Sequence, residues 1–193
     1  MIYDRKENIM KSSEVGVLIE YNEQGKLSHI TDHINYSRYY EYDENGLLIY
    51  EKNKGIINDK EDTIQYSYDI KGRIINIKTS KVEWHADSTI KDNILIIEES
   101  FVYDDNNTLI GTHIKDDDEN YECWKTYDMN GLIIHEKIID DCGYMKEKYI
   151  TYDYQGRIIY KHLIDDCGTD NEYWYDYDQS GKAKLIKETK NYK

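Results

Sequence analysis

Proline is absent from the 193 residues, and phenylalanine occurs once. Without proline, no ladder of backbone hydrogen bonds is interrupted anywhere along the chain. Cysteine is sparse. Cys123, Cys142 and Cys167 make an odd count, and residues 1–25 lack the apolar core of a secretion leader. That combination points to reduced thiols and a cytoplasmic location. Long apolar runs are missing too: residues 15–19 fall far short of the roughly 20 that a membrane helix needs, so no membrane partner is expected. Basic residues are outnumbered 39 to 25, and the net charge of −14 sets the chain against phosphate backbones, which excludes nucleic acid as a partner. Catalytic signatures are lacking as well. There is no phosphate-binding glycine loop, no Gly-x-Ser-x-Gly elbow and no His-Glu-x-x-His, so neither an enzyme nor a cofactor is expected.

What the chain has instead is tyrosine, 21 residues of it, in a repeated setting. The stretch Tyr152-Asp153-Tyr154-Gln155-Gly156-Arg157-Ile158 recurs with variations from Tyr21, Tyr42, Tyr68, Tyr103, Tyr127 and Tyr177. An internal repeat governs the reading of a fold. Asp or Asn opens each copy's turn and Gly follows three residues later, the composition of a type I turn closed by a left-handed residue. The copy without Gly carries Asn107, the next residue to tolerate positive φ. Tyr40, Tyr66, Phe101, Ile150 and Tyr175 lie two residues before a motif tyrosine, as strand alternation requires, with Lys125 the exception. Aliphatic pairs such as Ile133-Ile134 and Ile158-Ile159 follow the turns. No helical period is sustained. The class is all-β, and tyrosine rings whose hydroxyls need partners predict a thin sheet with tyrosine near water.

The chain reads as one domain, 1–193. Residues 1–20 form a possible degenerate first repeat, with Tyr3-Asp4 but Glu7 in place of Gly. The last four motif tyrosines stand 24, 25 and 25 residues apart, whereas Tyr68 and Tyr103 are separated by 35. The excess is a polar insertion at 79–93, containing Trp84, His85 and Asp87, which reads as an elaborated loop or an extra hairpin.

The second recurring feature is acidic. Asp116, Asp117, Asp118 and Glu119, then Asp140 and Asp141, then Asp165 and Asp166 occupy the connections between hairpins. Residues 104–178 hold 19 acidic and 7 basic residues, net −12. Stacked hairpins would bring these turns to one rim. They lack the spaced ligand pattern of a calcium loop; they read as solubility decoration or as a steering surface for a basic partner. Trp84, Trp124 and Trp174 complete the candidate set. Trp124 and Trp174, three residues before a motif tyrosine, are either a second layer of core or interface anchors. Cys142 and Cys167 hold equivalent positions, open to a disulfide or to two free thiols. The six histidines are scattered. His29 and His135 each follow a motif Gly by four residues, so repeat register explains them better than metal ligation.

The Tyr-Asp-x-x-Gly-Arg/Lys/Leu-Leu/Ile copies resemble the YD repeats of Rhs-type, teneurin and insecticidal toxin-complex proteins, over about Tyr21 to Ala183. The resemblance implies an array of antiparallel β-hairpins forming a curved sheet or a small barrel or sandwich. The chain is too short for the family's toxin-enclosing shell. Small free-standing proteins with this repeat are similar to immunity proteins of polymorphic or contact-dependent growth inhibition toxin systems. That likeness implies an intracellular protein that neutralises a cognate basic toxin, a nuclease such as an RNase, by covering its active site with acidic surface. The competing expectation is a surface or cell-wall module that binds carbohydrate through exposed tyrosines.

Overall fold

The computed structural model describes residues 2–4, 9–12, 16–32, 34–56, 60–84, 91–117 and 119–191, and their side chains except at 2–12 and 83–95. The chain divides into two compact units, Met1–Ile97 and Glu98–Lys193. The described residues contain strands and turns and no helix.

The first unit holds β1 (Ile2–Asp4), β2 (Ile9–Ser12), β3 (Val17–Tyr21), β4 (Leu27–Thr31), β5 (Tyr36–Tyr42), β6 (Leu48–Gly55), β7 (Glu61–Tyr68) and β8 (Ile74–Trp84). Strand β9 (Lys91–Tyr103) begins here and continues into the second unit. That unit then has β10 (Leu109–Asp116), β11 (Tyr121–Tyr127), β12 (Ile133–Ile139), β13 (Met145–Tyr152), β14 (Ile158–Asp165), β15 (Asp170–Tyr177) and β16 (Ala183–Lys190). In each unit the spatial order follows the sequence order, with antiparallel neighbours. Each unit is therefore an open sheet rather than a barrel. Among the described residues, strands touch only their neighbours in sequence, so no second layer covers either face.

The turn chemistry expected from the motif is present. In the copy at Tyr152, Gly156 N donates to Asp153 O at 3.0 Å and Asp153 N to Arg157 O at 2.9 Å. Asp153 Oδ1 accepts from the backbone N–H groups of Gln155 and Arg157 at 2.8 and 3.0 Å. Gly156 has φ 77°, and Asn107 takes the same left-handed conformation at φ 68°. Where the turn closes, the ladder shifts register just before the motif tyrosine, as between Thr151 and Tyr152 or Ser67 and Tyr68. This is the β-bulge that a type I turn plus a left-handed residue produces.

Two expectations about the ends and insertion are now specific. Residues 2–4 and 9–12 do form an antiparallel pair, with Tyr3 opposite Met10. The 79–93 segment is strand from 79 to 84 and again from 91 onward, and residues 85–90, with His85 and Asp87, lie outside the described residues.

A single layer leaves little to bury. Among the described residues only Cys123, Thr31 and Ser37 are buried, and β12 is half-buried at every position. Tyrosine suits that setting, because its ring covers neighbouring chain while its hydroxyl stays satisfied. The motif hydroxyls of Tyr68, Tyr152 and Tyr177 donate to the carbonyls of Leu48, Ile133 and Ile158, each at the start of the preceding repeat's second strand. The guanidinium of Arg157 lies 4.3 Å from the ring centre of Tyr177, tying one repeat to the next through its basic residue.

Candidate binding surface

Connectivity alone gathers the acidic turns. In an antiparallel sheet of consecutive strands, alternate turns fall at the same end. The β10–β11, β12–β13 and β14–β15 turns of the second unit therefore share one end, and the motif turns share the other. Asp116, Asp117 and Glu119, Asp140 and Asp141, and Asp165 and Asp166 are all brought there. Asp118 lies outside the described residues.

These carboxylates divide into two kinds. Asp140 and Asp165 build their turns as the motif aspartates do. Asp140 Oδ1 accepts from the backbone N–H groups of Cys142 and Tyr144 at 3.1 and 2.9 Å. Asp165 Oδ1 accepts from those of Cys167 and Thr169, both at 2.9 Å. The Thr169 and Tyr144 hydroxyls, with these backbone donors, hold the Asp165 carboxyl down at about 2. Asp116 Oδ1 accepts from Glu119 N at 3.3 Å. The second acidic residues are the ones presented to solvent: Asp117, Glu119, Asp141 and Asp166 are exposed. Asp117 pairs with Lys115 at 2.8 Å, and Asp166 Oδ2 accepts from Met145 N at 2.9 Å.

The turn cysteines are free thiols, as is buried Cys123. Asp140, Asp141 and Cys142 bring two carboxylates and a thiol within 4.8 Å of one another. The hydrogen bond to Asp141, with the charge of Asp140 behind it, pushes the Cys142 thiol up, so the free sulfur stays protonated and is a poor nucleophile.

Trp124 and Trp174 share one face of the second unit with a file of histidines and carboxylates. Trp124 stacks on His113 at 4.6 Å, with Lys137 Nζ 5.9 Å from its ring centre. Trp174 packs against Tyr160 at 5.2 Å and under Lys187 at 4.1 Å. Between them His135 stacks on Tyr149 at 4.4 Å, and His162 Nε2 contacts Asp170 at 2.8 Å. Trp84 ends β8, but its side chain lies outside the described residues.

This histidine file has an internal rule that isolated residues do not reveal. His29 in the first unit shares with His135 an aromatic directly across the next strand, Tyr39 or Tyr149. The carboxylate differs: Glu20 on the preceding strand meets His29 Nδ1 at 2.9 Å, and Glu147 on the following strand faces His135 Nε2 at 3.7 Å. The shared offset from the motif Gly was the one signal in the sequence. His113 and His135 each have a buried Nε2 with no hydrogen bond, facing Glu122 and Glu147 at 3.7 Å. The arrangement stacks rings and balances charge along a half-exposed face. Among the described residues it aligns no nucleophile with a base.

No protein-family model matches the chain, and no curated protein does. Similar solved structures include the crystal structure of TcdB2-TccC3-Cdc42, at 16% identity over 86% of this chain with a TM-score of 0.49. TcdB2-TccC3 without its hypervariable C-terminal region is similar at 10% identity over 94% of the chain, with a TM-score of 0.29. The chain spans 11% and 12% of the length of those chains.

Proposed function

We propose that this chain is a binding module of the immunity type, which neutralises a basic toxin domain, with a nuclease as the favoured target, from inside the cell. The observation that carries the reading is the exposed set Asp117, Glu119, Asp141 and Asp166, collected at one end of the second unit by strand connectivity. A nuclease cleft is electropositive because it holds phosphates, so a row of carboxylates can occupy it or its rim. Such a row speeds encounter and fixes orientation more than it adds affinity. Asp140 and Asp165 contribute by shaping the turns that present the others.

The carbohydrate reading is less favoured, because Trp124, Trp174 and Tyr149 already have ring partners, and Tyr154, 92% exposed in the β13–β14 turn, offers a sugar a single ring. His113 covers Trp124, Lys187 covers Trp174 and His135 covers Tyr149.

The test is growth rescue. Cells expressing the polypeptide encoded by the adjacent reading frame are compared with and without this protein. Rescue by the wild-type chain, lost on reversing the four exposed carboxylates to lysine, supports the reading. Growth arrest unaffected by the protein, or rescue indifferent to the reversal, counts against it.

A further inference from the structure

We propose that a cavity of about 290 Å³ on the β12–β13–β14 surface is an anchor socket for one apolar side chain, aromatic or long aliphatic, carried by a basic protein partner. The inference rests on the reading of the acidic end as a docking edge and adds what sits beside it.

Register builds the cavity. Ile138 pairs with Lys146, which pairs with Asp165; one row over, Glu136 pairs with Lys148, which pairs with Leu163. These six residues line it together with Glu147, Ile164 and Thr169, and Ile138 and Leu163 are aliphatic members of that wall. The volume is at the lower limit of about 300 Å³ typical of small-molecule pockets, so it suits a single side chain.

The polar groups around it are already engaged. Glu136 pairs with Lys148 and stands 3.8 Å from Lys125. Asp165 is held by the Cys167 and Thr169 backbone N–H groups. Lys146 Nζ sits 5.0 Å from the ring centre of Tyr144. A polar ligand would have to break these pairs, whereas an apolar group would displace only water from Ile138 and Leu163.

Its position argues for the occupant's charge. The strand bearing Ile138 runs into the turn of Asp140 and Asp141, and the strand bearing Leu163 runs into that of Asp165 and Asp166. An apolar pocket between two acidic turns complements an apolar anchor flanked by lysine or arginine, in the pattern of a buried hot spot inside a charged rim.

The experiment titrates the full chain with two amidated pentapeptides, Lys-Lys-Trp-Lys-Lys and Lys-Lys-Ala-Lys-Lys, while following Ile and Leu methyl resonances. The expected result is at least tenfold tighter binding of the Trp peptide, with shifts at Ile138 and Leu163. Filling the socket with Leu163→Trp, or with Ile138→Phe should the first variant not fold, should abolish the difference and leave the Ala peptide's affinity unchanged. Reversing Asp141 and Asp166 to lysine should weaken both peptides by a similar factor and preserve their ratio. Equal affinities in the wild type, or a Trp preference that survives both filled variants, would overturn the socket. So would self-association shifting the same methyls, whereas free indole binding as tightly as the Trp peptide would overturn the basic flank assigned to the occupant. Indifference to rim reversal with an intact Trp preference would instead overturn the acidic-edge reading and the basic flank assigned to the occupant.

Discussion

The hydroxyl of Tyr152 donates to the carbonyl oxygen of Ile133 across 2.9 Å, from one repeat to the one before it. Tyr177 reaches Ile158 in the same way at 2.8 Å, and Tyr68 reaches Leu48 at 2.7 Å. In a one-layer sheet each repeat meets only its neighbours, so such links join consecutive hairpins as interface terms do in other linear arrays.

Replacing Tyr152, Tyr68 or Tyr177 by Phe should therefore destabilise the protein by about 1 kcal/mol each, leaving a half-buried carbonyl without its donor. Urea denaturation of the single variants checks this. A Phe variant as stable as the parent would show that the ring alone accounts for the motif tyrosine.

The left-handed turn position makes a second comparison possible. Gly156 has φ 77°, and a Cβ there would meet only Leu132 Cδ1 at an ordinary 3.6 Å. Gly156→Ala should then cost about 1–2 kcal/mol from backbone conformation alone. Asn107→Gly, at φ 68°, should be neutral or mildly stabilising. Thermal unfolding of the pair reads both effects, and equal losses in the two variants would contradict the assignment.

How far the sequence carried the reading can be seen at these same turns. Asp-x-x-Gly spacing is local chemistry, so the hairpins and the Asn107 substitution were legible without coordinates. The same spacing marks Asp140, three residues before Gly143, and Asp165, three before Gly168, as the residues that cap their turns, which leaves Asp141 and Asp166 to solvent. The common end of the acidic turns followed from counting strands. What stayed hidden depended on cross-strand register. The facing of His135 by Tyr149 and Glu147 needs the β12–β13 pairing, and the cavity between Ile138 and Leu163 needs three strands at once. At 79–93 the polar composition left both an elaborated loop and an extra hairpin open.

Acid should weaken the second unit through Asp165. Its carboxyl is held at about 2 against an ordinary 3.8, so the stabilisation is complete above about pH 4 and is lost as pH falls through 2. In Asp165→Asn the turn keeps an acceptor, and the slope of stability between pH 4 and 2 should flatten. An unchanged slope would assign acid sensitivity elsewhere.

Alkali should act through tyrosine. The hydrogen bond to Glu172, with burial, pushes Tyr160 up to about 12, while at Tyr66 burial leads and Glu51 adds to it, again to about 12. Folded values above the ordinary 10 mean that stability is complete below pH 10 and is lost as pH climbs through 12. Tyr160→Phe and Tyr66→Phe together should remove much of that loss, as followed by ellipticity against pH.

The acidic end is tested by the rate at which this protein associates with the basic partner that it rescues cells from, between about 50 and 200 mM salt. The wild-type rate should fall at least tenfold over that range. The variant with Asp117, Glu119, Asp141 and Asp166 all changed to lysine should be slow and nearly insensitive to salt, while lysines placed at Met129, Gln155 and Gln179, in the motif turns of the opposite end, should leave the wild-type behaviour intact. Wild-type kinetics in the fourfold variant would contradict the proposal.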